Sequence, residues 1–372
     1  MSSCRCGSDQ PRVILRRLET RGFRNLEDQV LDFHEGFNVF EGGNGHGKTN
    51  ALEALYWIAT LTPLRAGKLT ELVAFGQSTC LVRAEVELDG LQHRLECGLN
   101  GPERVVRREG KATRAAAYFG VLSAILFTPE DAGLLRESPG ARRRYLDRAI
   151  FTGRSSHLSV VLEHRRALRA RNESLRSSSD PHLLEAFEGT LAASGARLVT
   201  ARRAFVQELS AEFASAYAHV AGSGDGPVLT YEPSLDLDDP EGHALSLAAD
   251  RARDRDRGFT GRGPHADDLS ISLEGHPART FASQGQQRAL VLALKVAEIR
   301  RLRTLFDLTP VLLLDDVSSE LDGVRNARLF EVLSDFKGQV FVTTTDSSHI
   351  KTPRPASVFE VLAGRIRGRP HP

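Results

Sequence analysis

Residues 41 to 50 read EGGNGHGKTN and contain the pattern Gly42-x-x-x-x-Gly47-Lys48-Thr49, which is a P-loop. In a P-loop the glycines allow backbone N–H groups to wrap phosphate oxygens, the lysine reaches the β- and γ-phosphates, and the threonine binds Mg²⁺. The helix that follows adds the positive end of its dipole. We therefore predict a nucleoside-triphosphate site with Mg²⁺, whose residues are Gly42, Gly43, Asn44, Gly45, His46, Gly47, Lys48, Thr49 and Asn50.

The stretch VLLLDD, residues 311–316, predicts an apolar strand that ends in paired carboxylates. Such a strand places one carboxylate beside the metal of a P-loop. Asp315 would hold Mg²⁺ together with Thr49, directly or through water, and Asp316 would orient or deprotonate the attacking water. We therefore assign catalytic roles to Asp316 and Lys48, which implies nucleotide hydrolysis. Without the P-loop, the same pair of aspartates would be read as a helix cap or a solvated turn.

The sequence SQGQQRALVLALKVAE begins at Ser283 and places a small polar residue, a glycine and two glutamines before an apolar helix. A turn of this composition exposes backbone N–H groups and a hydroxyl, which are the requirements of a second anion-binding helix end. Taken alone, the same residues are also typical of an ordinary helix N-cap. The residues themselves leave both interpretations open.

Regular elements must position these residues. The segment GFNVF predicts a strand that leads into the P-loop, and TNALEALYWIATL has helical periodicity directly after it. Residues 79 to 109 alternate in period two around Asp89-Gly90, which indicates a hairpin of antiparallel strands. Residues 130 to 220 carry long helical patterns on both sides of the serine-rich break RSSSDP, which predicts an antiparallel pair of helices.

The order of these elements predicts an α/β protein with mixed parallel and antiparallel sheets, divided by a mainly helical second domain that forms a short antiparallel helical arm. We expect residues 1–12 to be a disordered tail, because they are small, polar and followed by the first patterned strand. Residues 13–129 would form the first part of the α/β domain, which we call the head. Residues 130–262 would form the helical insertion, and residues 263–372 the second part of the head.

The 49 basic and 48 acidic side chains nearly cancel, so any preference for nucleic acid must come from local clustering. Nine arginines lie between positions 142 and 171, against Asp147 and Glu163. Such a cluster is typical of a surface that contacts phosphates; the open alternative is that several of these arginines brace the fold or solvate helices. Tyr145 and Phe151 are the only rings, so we expect contacts to duplex backbone or a junction rather than base stacking. The predicted DNA-binding residues are Arg142, Arg143, Arg144, Arg148, Arg165, Arg166 and Arg169.

Membrane and disulfide classes are disfavoured. No apolar run approaches the roughly 18 residues of a membrane span, and the N-terminus lacks the apolar core of a signal peptide. We therefore expect a cytoplasmic protein without membrane partners. The four cysteines, Cys4, Cys6, Cys80 and Cys97, fit neither a disulfide framework nor a zinc site.

The P-loop, SQGQQR (283–288), LLLDDVSSELD (312–322) and VFVTTTD (340–346) resemble, in order and spacing, the motifs of ABC-type P-loop ATPase heads. Within that SMC/ABC-type superfamily the set is most similar to the RecF family of bacterial recombination mediators. RGFRNLED, FTPEDAGLLRESPGARRRYLDRAI and GPHADDL extend the resemblance from about Val13 to beyond residue 360. SQGQQR, in place of the transporter-type LSGGQ, is its most discriminating part.

The resemblance implies ATP as the nucleotide and an ATP-dependent homodimer in which two heads enclose two ATP molecules. Ser283, Gly285 and Gln286 of one subunit would contact the γ-phosphate held by the P-loop of the other, and SSELD would form a D-loop through Ser319 and Asp322. The resemblance further implies a weak, DNA-stimulated ATPase in which hydrolysis releases the dimer.

Three positions depart from related patterns. Asp316 stands where transporters have glutamate, as it does in the RecF family, and its shorter reach is consistent with slow turnover. Thr345 and Asp346 occupy the position of the transporter switch histidine. Ala266 replaces an arginine that is usual in the family.

From this resemblance we expect a recombination-repair protein that binds double-stranded and gapped or single-stranded DNA and, with RecR and RecO, helps to load RecA. The alternatives are the ATPase subunit of a transporter and an SMC-like structural head. The helical insertion, SQGQQR and the missing switch histidine argue against a transporter. A helical pair of about forty residues a side is too short for the sustained coiled coil of an SMC arm.

Overall fold

The computed structural model describes residues 12–64, 68–128, 131, 133–177, 181–222, 226–306, 309–316, 323–334, 336–350 and 355–369. The predicted D-loop residues Ser319 and Asp322 lie outside these ranges, as do residues 1–11 of the predicted tail.

The described chain contains both strands and helices. The strands are β1 (Val13–Arg21), β2 (Gln29–Asp32), β3 (Phe37–Glu41), β4 (Thr79–Leu88), β5 (Leu91–Asn100), β6 (Glu103–Arg108), β7 (Lys111–Ala112), β8 (Ala124–Phe127), β9 (Val228–Glu232), β10 (Asp268–Leu273), β11 (His276–Pro277), β12 (Val311–Leu314), β13 (Val340–Thr344), β14 (Ala356–Leu362) and β15 (Arg365–Gly368). The helices are α1 (Lys48–Thr60), α2 (Ala115–Tyr118), α3 (Pro139–Gly153), α4 (His157–Ser177), α5 (Pro181–Ala221), α6 (Pro240–Ala249), α7 (Arg251–Arg257), α8 (Ala278–Phe281), α9 (Gln284–Phe306) and α10 (Gly323–Ser334).

The chain divides into two compact units, which we name the head unit (residues 1–131 and 299–372) and the insert unit (residues 132–298). The predicted return to the head at residue 263 differs from this division. The reason is strand pairing: β10 runs antiparallel to β9, from Asp268 opposite Glu232 to Ser272 opposite Val228. This ladder joins the segment after residue 263 to the helical insertion.

The head unit contains a six-stranded sheet in the order β15-β14-β3-β13-β12-β8. Its neighbours pair in parallel except for β14 with β15. All residues of β12 and β13 are buried, as expected for parallel strands covered on both faces. Because parallel strands end at the same edge of a sheet, the residues that follow β3, β12 and β13 come together there.

A second six-stranded sheet of the head unit is antiparallel and has the order β2-β1-β4-β5-β6-β7. Leu88 at the end of β4 pairs with Leu91 at the start of β5, which confirms the predicted hairpin. The two turn residues, Asp89 and Gly90, have φ values of 52° and 76°. Positive φ at both positions is the requirement of a type I′ turn, which the Asp-Gly pair meets.

The insert unit is built on α4 and α5. His164 contacts Ser194, Arg171 contacts Glu188, and Arg197 contacts Glu163, so positions rise along one helix as they fall along the other. The two helices are therefore antiparallel, as predicted. Together with the mixed sheets, they confirm the α/β class with a mainly helical second part.

Candidate nucleotide-binding site

The P-loop connects β3 to α1 at the carboxyl edge of the parallel sheet. The Gly42 N–H donates to the Thr344 carbonyl oxygen at 3.2 Å, which ties the start of the loop to the neighbouring strand. A Cβ added at Gly42 would lie only 2.3 Å from the Val361 carbonyl oxygen. Gly47, the N-cap of α1, has a φ of 110°, a region that favours glycine. The backbone therefore requires the two glycines that define the motif.

Lys48 begins α1 and turns its side chain back into the loop. Its ammonium donates to the carbonyl oxygens of Gly42 at 2.6 Å and Gly43 at 2.9 Å. Burial lowers the pKa of Lys48, and the negative charges of Asp316 and Asp315 oppose that shift. The ammonium thus lies within the loop and within electrostatic reach of both carboxylates.

Asp315, which follows β12 directly, meets the first helical turn after the P-loop. Its Oδ1 accepts a hydrogen bond from Thr49 Oγ1 at 3.0 Å. This contact joins the two residues that the sequence predicted as metal ligands. A hydroxyl and a carboxylate are hard oxygen donors of the kind that Mg²⁺ prefers, so these residues fit that ion.

Thr343, in β13, is a member of the site to which sequence reasoning assigned no role. It is fully buried, and its Oγ1 donates to Asp315 Oδ1 at 2.8 Å. Thr343 Oγ1 also accepts a hydrogen bond from the backbone N–H of Asp316 at 2.8 Å. One hydroxyl therefore orients both acidic residues at the end of β12. The only sequence signal was its place in VFVTTTD, a strand predicted to lie beside VLLLDD.

Asp316 has a φ of 45°, which places a non-glycine residue in the left-handed region. Such a conformation costs of order 1 kcal/mol or more and persists where surrounding contacts hold it. The hydrogen bond from its N–H to Thr343 is one such contact. Thr343 therefore helps to hold this strained backbone position beside Asp315.

A second layer of contacts holds the P-loop from outside. The carbonyl oxygen of His46 accepts a hydrogen bond from the Gly364 N–H at 2.9 Å. The His46 side chain accepts a second one, from the Ala363 N–H to Nδ1 at 3.0 Å. Asn25 links the loop to α1, because its amide donates to Gly45 O at 3.4 Å and accepts from Asn50 at 2.7 Å. The hairpin between β14 and β15 and the segment after β1 therefore fix the loop's shape.

The second predicted anion site, SQGQQR, lies at the start of α9 in the insert unit. Ser283 Oγ accepts the Gln286 N–H at 3.2 Å, and Gln286 Oε1 accepts the Ser283 N–H at 2.8 Å. This reciprocal pair is a capping box. Gln287 is buried and donates to Ala282 O at 2.9 Å, which holds the turn before the helix. Ser283 is exposed and Gly285 and Gln286 are half-buried, so the helix end is accessible to solvent.

Near the predicted switch position, Asp346 caps a short 3-10 turn by accepting the Ser348 N–H at 2.8 Å. Its own N–H donates to Thr344 Oγ1 at 3.2 Å, and Thr345 is exposed. Ser347 Oγ donates to Glu41, the last residue of β3, at 3.2 Å. These bonds connect the end of β13 to the start of the P-loop.

The arginine-rich segment separates into buried and exposed members. Arg142 is only 4% exposed and forms a bidentate pair with Asp268 at 2.7 and 2.6 Å. Its prediction as a DNA ligand is therefore wrong: the side chain braces α3 against β10. Arg171 is fully buried against Glu188 and Asp254, so it also has a structural role.

For the other arginines DNA binding stays a prediction, and they differ in their exposure to solvent. Arg144, Arg165, Arg166 and Arg169 are exposed, whereas Arg143 and Arg148 are half-buried. Arg143 Nη1 donates to the Asp267 carbonyl oxygen at 2.5 Å. Six of the seven predicted residues therefore retain some exposed surface, on α3 and α4 of the insert unit.

Comparison with known proteins places these features in one family. Residues 14–363 match the RecF/RecN/SMC N-terminal domain. The DNA replication and repair protein RecF of Myxococcus xanthus is 42% identical over 349 residues, which cover 91% of this chain and 92% of that protein. The solved structure of the recombination mediator protein RecF with ATP, in the RecFOR pathway, superposes with a TM-score of 0.87 at 29% identity, covering 96% of this chain and 98% of that one.

A more distant likeness concerns the fold alone. An Smc head bound to the C-terminal winged-helix domain of ScpA has a TM-score of 0.56 and 15% identity, and the match covers 95% of this chain and 96% of that one. The fold is therefore that of an ABC-type ATPase head. Among the described helices, none has the length and apolarity needed to cross a membrane.

Proposed function

Because the chain belongs to the RecF family of the RecF/RecN/SMC N-terminal domain proteins, we propose that it is an ATP-dependent DNA-binding protein of recombination and repair. The observation that carries the proposal is the cluster in the head unit: the P-loop, Lys48 inside it, and Thr49 hydrogen-bonded to Asp315. These residues are the complete set that binds phosphates and Mg²⁺ in P-loop ATPases. The RecF structure with ATP supports the same ligand here.

In the proposed reaction the protein positions groups and stabilises charge. Lys48 would leave the carbonyls of Gly42 and Gly43 for the β- and γ-phosphates, and the loop N–H groups would hold the phosphate oxygens. Mg²⁺, held by Thr49 and Asp315, supplies charge neutralisation at these oxygens when bound. Asp316 would orient the attacking water, with Thr343 fixing its backbone. We propose slow hydrolysis that DNA stimulates.

ATP would join two copies of the chain into a homodimer. The exposed start of α9 offers the Ser283 hydroxyl and helix N–H groups, with Gly285 and Gln286 beside it, to a phosphate held by the partner's P-loop. In the capping box Ser283 Oγ accepts the Gln286 N–H, so its hydroxyl hydrogen can still donate to a phosphate oxygen. Contact with the γ-phosphate would therefore be compatible with the internal bonds that hold this turn. Ser319 and Asp322 remain the proposed D-loop residues.

DNA would lie against the exposed arginines of α3 and α4. Their guanidinium groups provide backbone contacts to double-stranded DNA next to single-stranded gaps. The RecFOR pathway of the RecF structure supports RecR and RecO as partners in loading RecA. We place the protein in the cytoplasm, associated with the nucleoid.

The testing experiment is light scattering of the wild-type protein with ATP and Mg²⁺, with and without duplex DNA, beside Lys48→Met and Ser283→Arg. ATP should convert only the wild type to a dimer, and that dimer should bind DNA more tightly at moderate salt. Lys48→Met should fail to bind nucleotide, whereas Ser283→Arg should bind it and stay monomeric. A wild type that remains monomeric with ATP and DNA, or DNA affinity indifferent to nucleotide, would refute the proposal.

A further inference from the structure

A cavity of about 250 Å³ lies within the insert unit, between α3, α4, α5 and the turn that contains His265. Four arginines and one carboxylate line it: Arg143, Arg144, Arg165, Arg202 and Asp147. The arginines come from three helices and converge on one space. The cavity lining therefore carries more positive than negative side chains.

Arg202 is the compensated member. It is 3% exposed, forms two bonds of 3.0 Å to the two oxygens of Asp147, and contacts Asp267 Oδ2 at 3.0 Å. Burial alone would raise the pKa of Asp147, but Arg202 and His157 together lower it to about 2, so this carboxylate is ionised. The Arg202 charge is therefore neutralised by carboxylates that the fold itself supplies.

The other three arginines lack such partners. Among the described residues, Arg144 and Arg165 form no ion pair, and Arg143 donates to the neutral carbonyl oxygen of Asp267. Burial and the charge of Arg202 lower the pKa of Arg143, whereas the carboxylates of Asp267, Asp268 and Asp147 act in the opposite direction. Arg143 Nη2 and Arg144 Nη1 each lie 3.7 Å from the position of a Cβ at Gly140, so both guanidinium groups end at the same part of the wall.

Two histidines in the same lining carry unpaired nitrogen atoms. His164 is 4% exposed, and its Nε2 has no hydrogen-bond partner in the described part of the chain. The Nδ1 atom of His265 is likewise buried and without a partner there. Buried polar atoms are nearly always hydrogen-bonded in folded proteins, so these two nitrogen atoms leave hydrogen-bonding capacity open in the cavity wall.

We propose that this cavity binds a phosphate group through Arg143, Arg144 and Arg165. A phosphate has enough acceptor oxygens to engage guanidinium groups from two helices at once, and its negative charge matches the uncompensated cations. The phosphate has two chemical sources, the terminal phosphate of a DNA strand or a free phosphate ion. The site shares no residue with the P-loop and holds independently of the ATP-driven dimer.

The test is isothermal titration of inorganic phosphate into the full chain, saturated with Mg²⁺ and a non-hydrolysable ATP analogue so that the P-loop is filled. The test variant is Arg144→Gln combined with Arg165→Gln, because both side chains are exposed and substitutions of exposed side chains usually change stability little. Arg169→Gln is the matched control, because Arg169 is an exposed arginine of the same helix that does not line the cavity. Phosphate affinity should fall about tenfold or more in the double variant and change by less than about twofold in the control.

Equal phosphate affinity in the wild type and the double variant, or no binding by the wild type, would overturn the site. Phosphate binding that occurs only when the ATP analogue is omitted would place the phosphate in the P-loop and overturn the proposed site equally. Two otherwise identical duplexes, with and without a terminal phosphate, identify the source. A preference for the phosphorylated duplex that the double variant loses supports a DNA end; inorganic phosphate binding without that preference supports a free phosphate ion.

Discussion

Replacing Arg171 with methionine separates a structural arginine from a DNA-contacting one within the same basic segment. Arg171 is fully buried and donates to Glu188, Asp254 and Thr260 at 2.7 to 3.1 Å, and to the Leu247 carbonyl oxygen at 3.2 Å. Methionine matches much of its length but none of these bonds. The substitution leaves two buried carboxylates without their shared cation.

Removing one partner of a buried pair typically costs about 3–5 kcal/mol, because the remaining charge stays desolvated. Glu188 keeps Arg251 at 2.8 Å, and Asp254 keeps the Gly261 N–H at 3.0 Å, so we expect the lower end, about 3 kcal/mol. That is a large share of a stability that is usually about 5–15 kcal/mol. The matched control is Arg169→Met. Arg169 is exposed and, among the described residues, donates only to a carbonyl oxygen of its own helix, so its replacement should change the free energy of unfolding by less than about 0.5 kcal/mol.

Urea unfolding followed by far-ultraviolet circular dichroism measures the difference, since the insert unit holds the long helices α4 and α5. Two units can unfold in separate transitions, so the midpoint of the insert-unit transition is the quantity to compare. The second readout is the slope of log DNA affinity against log salt concentration. Arg169→Met should reduce the size of this slope by about one, whereas Arg171→Met, measured under conditions in which it is folded, should leave it unchanged. An Arg171→Met midpoint equal to that of Arg169→Met would refute the reasoning.

Three further substitutions probe the other contacts. Thr343→Val removes the hydroxyl that holds Asp315 and should lower the rate of ATP hydrolysis, measured by phosphate release, about tenfold or more. Nucleotide affinity, measured by titration, should stay within about threefold of the wild type. An unchanged hydrolysis rate would contradict this role of Thr343. Burial, with neighbouring cations, lowers the pKa of His164 from 6.5 to about 3, so the folded state keeps it neutral and loses stability as pH falls below 6.5. Between pH 6.5 and 5 in phosphate-free buffer, the free energy of unfolding of the wild type should therefore fall by up to about 1.4 kcal/mol per pH unit more than that of His164→Gln. Thermal unfolding measures this difference, and an equal pH dependence in the two proteins would rule it out. Ser283→Ala removes one half of the capping box and should destabilise the start of α9 by about 1 kcal/mol, seen as faster amide exchange there, and normal exchange would show that the cap is unimportant.

Local patterns explain why part of the site was predictable from sequence. The P-loop is a contiguous motif whose glycines answer to backbone geometry, so Gly42 and Gly47 are recognisable before any tertiary contact is known. The Asp89-Gly90 turn is local in the same way, because its φ values depend on the two residues themselves. The position of Asp315 and Asp316 in the site was predictable because ligands bind at the carboxyl ends of parallel strands, and both residues directly follow the strand VLLL.

Contacts between distant residues explain why the rest was not predictable. Arg165, Arg169 and Arg171 have the same chemistry and lie on one helix, yet the first two are exposed and the third is fully buried. Nothing in the composition of the segment separates them, because burial depends on Glu188 and Asp254 from other elements. Thr343 is similar: its role arises only when β13 is placed beside β12. The unit boundary shifted for the same reason, through the pairing of β9 with β10.

The position of β3 between β13 and β14 has a consequence for how the protein is made. The strand that leads into the P-loop emerges early from the ribosome, but both of its sheet neighbours are translated only after the entire insert unit. Because compact contiguous units generally fold as units during synthesis, we expect the insert unit to fold first, while β3 is still unpaired. Nascent chains stalled before β13 would therefore carry a finished helical insert and no nucleotide site, and the onset of ATP binding marks the end of synthesis of the head.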